Sequence, residues 1–306
     1  MRALGRWIYG QPYLLLTVTA MMWGGNIVVG RFAVDKVPPL ALAQFRWTGA
    51  FLILLPFALH PIRRDWPLFR RHLPILLLLS LTGVTLYNAF IYYGLQWTEA
   101  LNGALLQSAQ PLLIALFALI LYGDRLNRFQ ISGIAVSFIG VILIVSSGRP
   151  ASLLELEINP GDAIILAAVV IYGFYSAFLK SRPQMHPISF LAVIFFLGSM
   201  MLLPATLVEW AGGARPVNTG GAWFACLYVA IFPSLVANFC FNRGVEMVGP
   251  NRAGPFFQLI PVFGSLAAIV FLGERPAWYH GVGWVLIASG IVVSQRTRWF
   301  GRRPIA

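Results

Sequence analysis

The 306-residue sequence predicts an all-α membrane protein of ten transmembrane helices in two inverted five-helix repeats, with both termini cytoplasmic. Three observations carry that expectation. The chain has too few charges to clothe a soluble surface, its basic residues divide unevenly between alternate connections, and its second half repeats the first at a fixed register.

Charge comes first. The chain is 58% hydrophobic and only 10% charged, against roughly a quarter charged for a soluble domain. The net charge of +12 does not gather into one nucleic-acid-binding patch. It recurs in short clusters between apolar runs, so the bilayer is the expected partner. Cys226 and Cys240, fourteen residues apart in one apolar run, would lie about 21 Å apart on a helix, beyond disulfide reach. The first apolar run is long and leads into more apolar sequence, so no cleaved signal peptide is expected.

Crossing the hydrocarbon core takes about 20 apolar residues as a helix. Ten such runs begin near Gln11, Pro39, Leu73, Thr98, Phe129, Gly161, Pro187, Gly220, Asn251 and Tyr279. With the N-terminus inside, sixteen of the 22 Lys and Arg fall on the inner side. Arg31, Lys36, Arg149, Arg215 and Arg275 fall outside, and Arg46 lies within a span. That excess places both termini in the cytoplasm of an inner (plasma) membrane.

A shift of 150 residues superimposes the halves without a gap. Asn88 meets Asn238, Gly94 meets Gly244, Pro111 meets Pro261, and Gly123-Asp124-Arg125 meets Gly273-Glu274-Arg275. Gly133 meets Gly283 and Gly140 meets Gly290. The expected units are residues 1–148 and 161–306, joined by a loop over 149–160. An odd number of spans per unit inverts the second copy, an architecture of secondary transporters with a site between the repeats.

Polar groups inside spans mark candidate function. Trp23 and Asn26 share a face of the first helix, Asn88 and Tyr92 of the third, Tyr172 and Ser176 of the sixth, and Asn238 and Asn242 of the eighth. Gln107, Gln110 and Gln258 sit mid-span. These amides line a cavity or hold helices together. Pro111 and Pro261 each deny a hydrogen bond to the carbonyl four residues earlier, those of Gln107 and Phe257. They act as packing kinks, or they leave carbonyls for a substrate ammonium. Arg46, seven residues past Pro39, is about 10 Å deep. Its guanidinium either snorkels outward or holds a substrate carboxylate.

The two five-helix units with their Gly-acid-Arg turns, Pro111, Pro261, Arg46 and the Trp23-Gly24-Gly25-Asn26 run resemble the drug/metabolite transporter superfamily, EamA-type. Within it they look most like the YddG group of amino-acid exporters. The resemblance covers essentially the whole chain. It implies export of aromatic and some other neutral amino acids through a central cavity.

None of the ten acidic residues lies mid-span. Small relatives of this superfamily that expel cations rely on a Glu in the first helix, which this chain lacks. His60, His72, His186 and His280 lie at span ends, so no metal site and no cofactor is expected, and no phosphate-binding loop appears. The reading is therefore a secondary transporter, not an enzyme, exporting neutral, mainly aromatic amino acids by alternating access. Its rivals are a permease for a purine or sugar, an intramembrane enzyme and a passive channel.

Overall fold

The computed structural model describes residues 7–33, 36–94, 97, 106–107, 109–149, 151, 160–272, 275 and 277–296. Among the described residues there is no strand, and the chain folds into ten helices. We label them α1 (Pro12–Ala33), α2 (Pro39–Arg71), α3 (Leu73–Gly94), α4 (Gln110–Tyr122), α5 (Arg128–Val145), α6 (Pro160–Ser181), α7 (Pro187–Ala211), α8 (Gly220–Val248), α9 (Pro250–Leu272) and α10 (Trp278–Ser294). Helices α2, α3, α6, α7, α8 and α9 are long and apolar enough to cross a membrane, and α4, α5 and α10 are shorter apolar helices.

The starts follow from local chemistry. Proline opens α1, α2, α6, α7 and α9, where its fixed φ suits the helix and its missing N–H costs nothing. Asn127 and Gln130 form a reciprocal cap at the head of α5, and the Thr219 hydroxyl accepts the Ala222 N–H at the head of α8. Gly123, at φ +68°, ends α4 in the left-handed conformation. Nine helices begin within one residue of their expected starts. The tenth expected start, Thr98, lies outside the described residues, as do Gly273 and Glu274 of the second Gly-acid-Arg turn.

Helices pack in matched pairs. Along α5 and α10, Gly133 faces Gly290 and Gly140 faces Gly283, so the two helices run antiparallel. A Cβ on Gly140 would come within 2.8 Å of the Gly283 carbonyl, and one on Gly133 would overlap that of Gly290. Between them Ser137 Oγ donates to the Ile287 carbonyl at 3.1 Å, two residues 150 positions apart. Adding 150 to one partner and subtracting it from the other turns each glycine contact into its mate. Further interfaces are matched in the same way, with α1 and α6 in register at a shift of 149 rather than 150. Gly94 of α3 packs on Ile165 of α6, and Gly244 of α8 on Leu16 of α1. Gly173 of α6 meets Leu113 of α4, as Gly24 of α1 meets Phe263 of α9. Helices α2 and α7 join through Gln44 Nε2 to Ser199 Oγ, 2.9 Å, and through Trp47 against Phe195. The buried core runs between these pairs, with Trp47, Tyr175, Phe190, Phe195 and Phe241 almost fully enclosed.

Candidate functional site

The site begins with a backbone irregularity absent from the sequence expectations. Helix α3 widens into a π turn over Leu81–Leu86, and α8 does so over Ala230–Val236, at matching positions of the two halves. A π turn breaks the i→i−4 ladder and leaves carbonyls seeking donors. The twin asparagines supply them. Asn88 Nδ2 donates to the Val84 carbonyl at 2.8 Å, and Asn238 Nδ2 to the Ser234 carbonyl at 2.7 Å. In α8 the cause is legible. Pro233 has no N–H to offer the Val229 carbonyl, and the Ser234 hydroxyl donates to that carbonyl instead, at 2.6 Å.

Arg46 of α2 reaches between the two π helices. It is only 6% exposed. Nε donates to Ser234 Oγ at 2.5 Å, Nη2 to the Pro233 carbonyl at 3.2 Å, and Nη1 to Asn88 Oδ1 and the Tyr92 hydroxyl, both at 3.3 Å. The guanidinium also lies 4.7 Å from the centre of the Trp47 ring. Every one of these partners is neutral. The ion pairs among the described residues, Lys180–Asp124 and Arg182 and Arg243 with Glu246, leave Arg46 without a carboxylate. A buried charge is ordinarily paired, and Arg46 is held by neutral groups alone.

Rings stand beside the guanidinium. Trp23 Nε1 donates to the same Pro233 carbonyl at 3.0 Å. The Trp23 ring packs on Tyr172, Phe241 and Phe257, with centroids 6.0, 5.3 and 5.2 Å away. Tyr172 stands 4.3 Å from Tyr87, whose hydroxyl donates to Gln107 Oε1 at 3.4 Å.

Beside this cluster, toward the C-terminal end of α6, lies a second polar group. Tyr175 donates to Asn242 Oδ1 at 3.4 Å, while Asn242 Nδ2 and Ser176 Oγ are buried without a partner. Beyond them Arg182 and Arg243 clasp Glu246 at 2.7 and 3.0 Å, and Arg243 covers the Tyr9 ring. The gap lined by these residues is about 10 Å³. At the opposite end a groove of about 470 Å³ opens between Phe45, Trp210, Trp223 and Arg215.

The structure thus brings Trp23, Arg46, Asn88, Tyr92, Gln107, Tyr172 and Asn238 into one cluster. It does not bring the rest there. Gln110 Nε2 donates to the Val169 carbonyl of α6 and Gln258 Nε2 to the Ile134 carbonyl of α5, both at 3.3 Å, as bonds between helices. Asn26 Oδ1 is buried without a partner, and Asn242 and Ser176 belong to the second group. The prolines also differ from expectation. Pro111 is the second residue of α4, where a missing N–H is harmless. The Phe257 carbonyl below Pro261 is not free, because a 3-10 turn over Gly254–Leu259 brings it the Ile260 N–H. Sequence reading missed Tyr87, Pro233, Ser234, Phe241 and Phe257. A proline followed by serine five and four residues before Asn238, in a run without charge, was the available signal.

A sequence profile of the EamA-like transporter family matches residues 11–146 and 159–295. The chain belongs to the EamA-like transporter family. As a transporter of this family it is a multi-pass membrane protein, in keeping with its long apolar helices. It is 25% identical over 290 residues to the uncharacterized transporter YyaM of Bacillus subtilis (strain 168), covering 92% of each chain. It is 26% identical over 292 residues to a probable terminal-alkyne amino-acid exporter of Streptantibioticus cattleyicolor, covering 94% of each. A crystal structure superimposes on 95% of this chain and 99% of its own at TM-score 0.76 and 19% identity, which supports the fold.

Proposed function

We propose that this transporter exports neutral, mainly aromatic amino acids across the inner (plasma) membrane by alternating access. The observation that carries this reading is the buried, carboxylate-free Arg46 beside the Trp23, Tyr172 and Phe257 rings. A guanidinium takes a carboxylate by paired hydrogen bonds, and an aromatic wall takes an apolar side chain. The amino-acid exporter among its relatives is in keeping with such a cargo.

The working parts are residues 1–148 and 161–306, an inverted pair joined by 149–160, with both termini cytoplasmic. The antiparallel crossing of α5 on α10, which maps onto itself under the 150-residue shift, supports the inversion. In that arrangement the Arg182–Glu246–Arg243 clasp closes the cytoplasmic end. Alternating access opens it while the other end shuts. No nucleic acid, metal or cofactor takes part.

The test is uptake into liposomes holding the purified protein, with labelled amino acids, nucleobases and sugars compared. Saturable uptake of phenylalanine and tryptophan above the others is expected. Uptake confined to a nucleobase or sugar overturns the reading. Reporter fusions after Arg303 and within residues 63–71 are expected to read cytoplasmic, and a fusion within 148–160 periplasmic.

A further inference from the structure

We infer that the Arg46 site reads the carboxylate of its ligand and leaves the amine unread, so that aromatic carboxylates without an amino group are ligands too. The inference rests on the reading above and narrows it to a chemical class.

The argument is a count of donors and acceptors. The Pro233 carbonyl accepts from Trp23 Nε1 at 3.0 Å, Arg46 Nη2 at 3.2 Å and Asn238 Nδ2 at 3.3 Å. A carbonyl oxygen has two lone pairs, so one of the three donors is in surplus. The guanidinium carries a full charge, and no carboxylate among the described residues pairs with it. Its acceptors are two neutral hydroxyls, an amide and a carbonyl. The cluster is rich in donors and positive, which is the environment of an anion.

An ammonium needs the reverse. The oxygens beside Arg46 already accept from protein donors and none of them carries a charge: Asn88 Oδ1 and the Pro233 carbonyl accept from Arg46, and Gln107 Oε1 accepts from the Tyr87 hydroxyl. The charge that would face an ammonium is the like charge of Arg46, which disfavours it at depths where water does not screen. The Phe257 carbonyl below Pro261 already accepts the Ile260 N–H, so the proline does not leave it without a donor. A ligand carboxylate instead relieves the surplus by accepting from Arg46 and Trp23, while its ring lies among Tyr172 and Phe257.

The test is calorimetric binding of three probes to the full chain in detergent: L-phenylalanine, 3-phenylpropionate and phenethylamine. Phenylpropionate is expected to bind within a few-fold of phenylalanine, and phenethylamine at least about tenfold more weakly than either, the value of a hydrogen bond to a charged group. Trp23→Phe keeps the ring and removes the donor. It is expected to weaken both carboxylates by the same several-fold factor. Phenylalanine binding without phenylpropionate overturns this inference and leaves the amino-acid reading standing. Phenylpropionate binding without phenylalanine supports the inference and removes the amino-acid reading. Phenethylamine binding as well as phenylalanine overturns the inference, and binding of none of the three overturns both.

Discussion

The π turns of α3 and α8 occupy equivalent places in the two halves, yet they do different work. Both are bridged by an asparagine one turn on, Asn88 to Val84 and Asn238 to Ser234, at nearly equal length. Around that shared frame the residues diverge. Where α3 has Gly83 and Val84, α8 has Pro233 and Ser234, which present a carbonyl and a hydroxyl to Arg46. The partner of Arg46 under the 150-residue shift is Phe196, an exposed ring packed on Phe51. Tyr92, which accepts from Arg46, corresponds to Asn242, whose amide nitrogen lacks a partner. The duplicated scaffold supplies the frame twice, and charge was placed in one copy only. A single net positive site in a symmetric shell would give a bound anion one orientation.

The largest effect that can break the comparison falls on the shared frame. Gly133→Val would drive a side chain into the Gly290 backbone, which cannot retreat as a flexible side chain could. We expect no monodisperse protein in detergent by size-exclusion chromatography. Gly281→Ala, with open space at its Cβ, should elute and melt like the parent. A folded Gly133→Val protein would mean that α5 and α10 do not cross there.

Next come the asparagines. Asn88→Ala and Asn238→Ala each remove a side-chain hydrogen bond from a π-turn carbonyl, a loss of about 0.5–1.5 kcal/mol. If the frame is duplicated, the two variants should lower the melting temperature by similar amounts. A fall confined to one variant would show that only one π turn depends on its bridge. Glu246→Gln breaks the clasp on Arg182 and Arg243. The three side chains are partly exposed, so the stability loss should stay below about 1 kcal/mol. Smallest of all, Phe196→Ala should leave phenylalanine affinity at the parental value by calorimetry. A marked loss would mean that the α7 position equivalent to Arg46 also bears on binding.

Much of the scaffold was legible because its signals are local. Proline at helix starts and apolar run lengths placed the helices, and the Asn, Gly and Pro matches at one register paired them. Asn88, Tyr92 and Arg46 were legible as polar groups at membrane depth, and the structure joins them. What escaped depends on which face of a helix turns inward. Gln258 looked like a mid-span ligand group but is turned toward the Ile134 carbonyl of α5, a choice made by packing. The π turns escaped because their pattern differs from an α-helix by one residue, without a compositional mark in α3. In α8 Pro233 is such a mark, since it has no N–H for the Val229 carbonyl.

The central claim is that the unmatched charge of Arg46 holds the ligand. The direct measurement is the dissociation constant of phenylalanine for the parent and for Arg46→Gln, both in detergent, with thermal melting as the check on folding. Loss of hydrogen bonds to a charged group should weaken binding by about ten- to a hundredfold, with the melting transition still cooperative. An Arg46→Gln protein that melts cooperatively and binds phenylalanine as tightly as the parent would contradict the account.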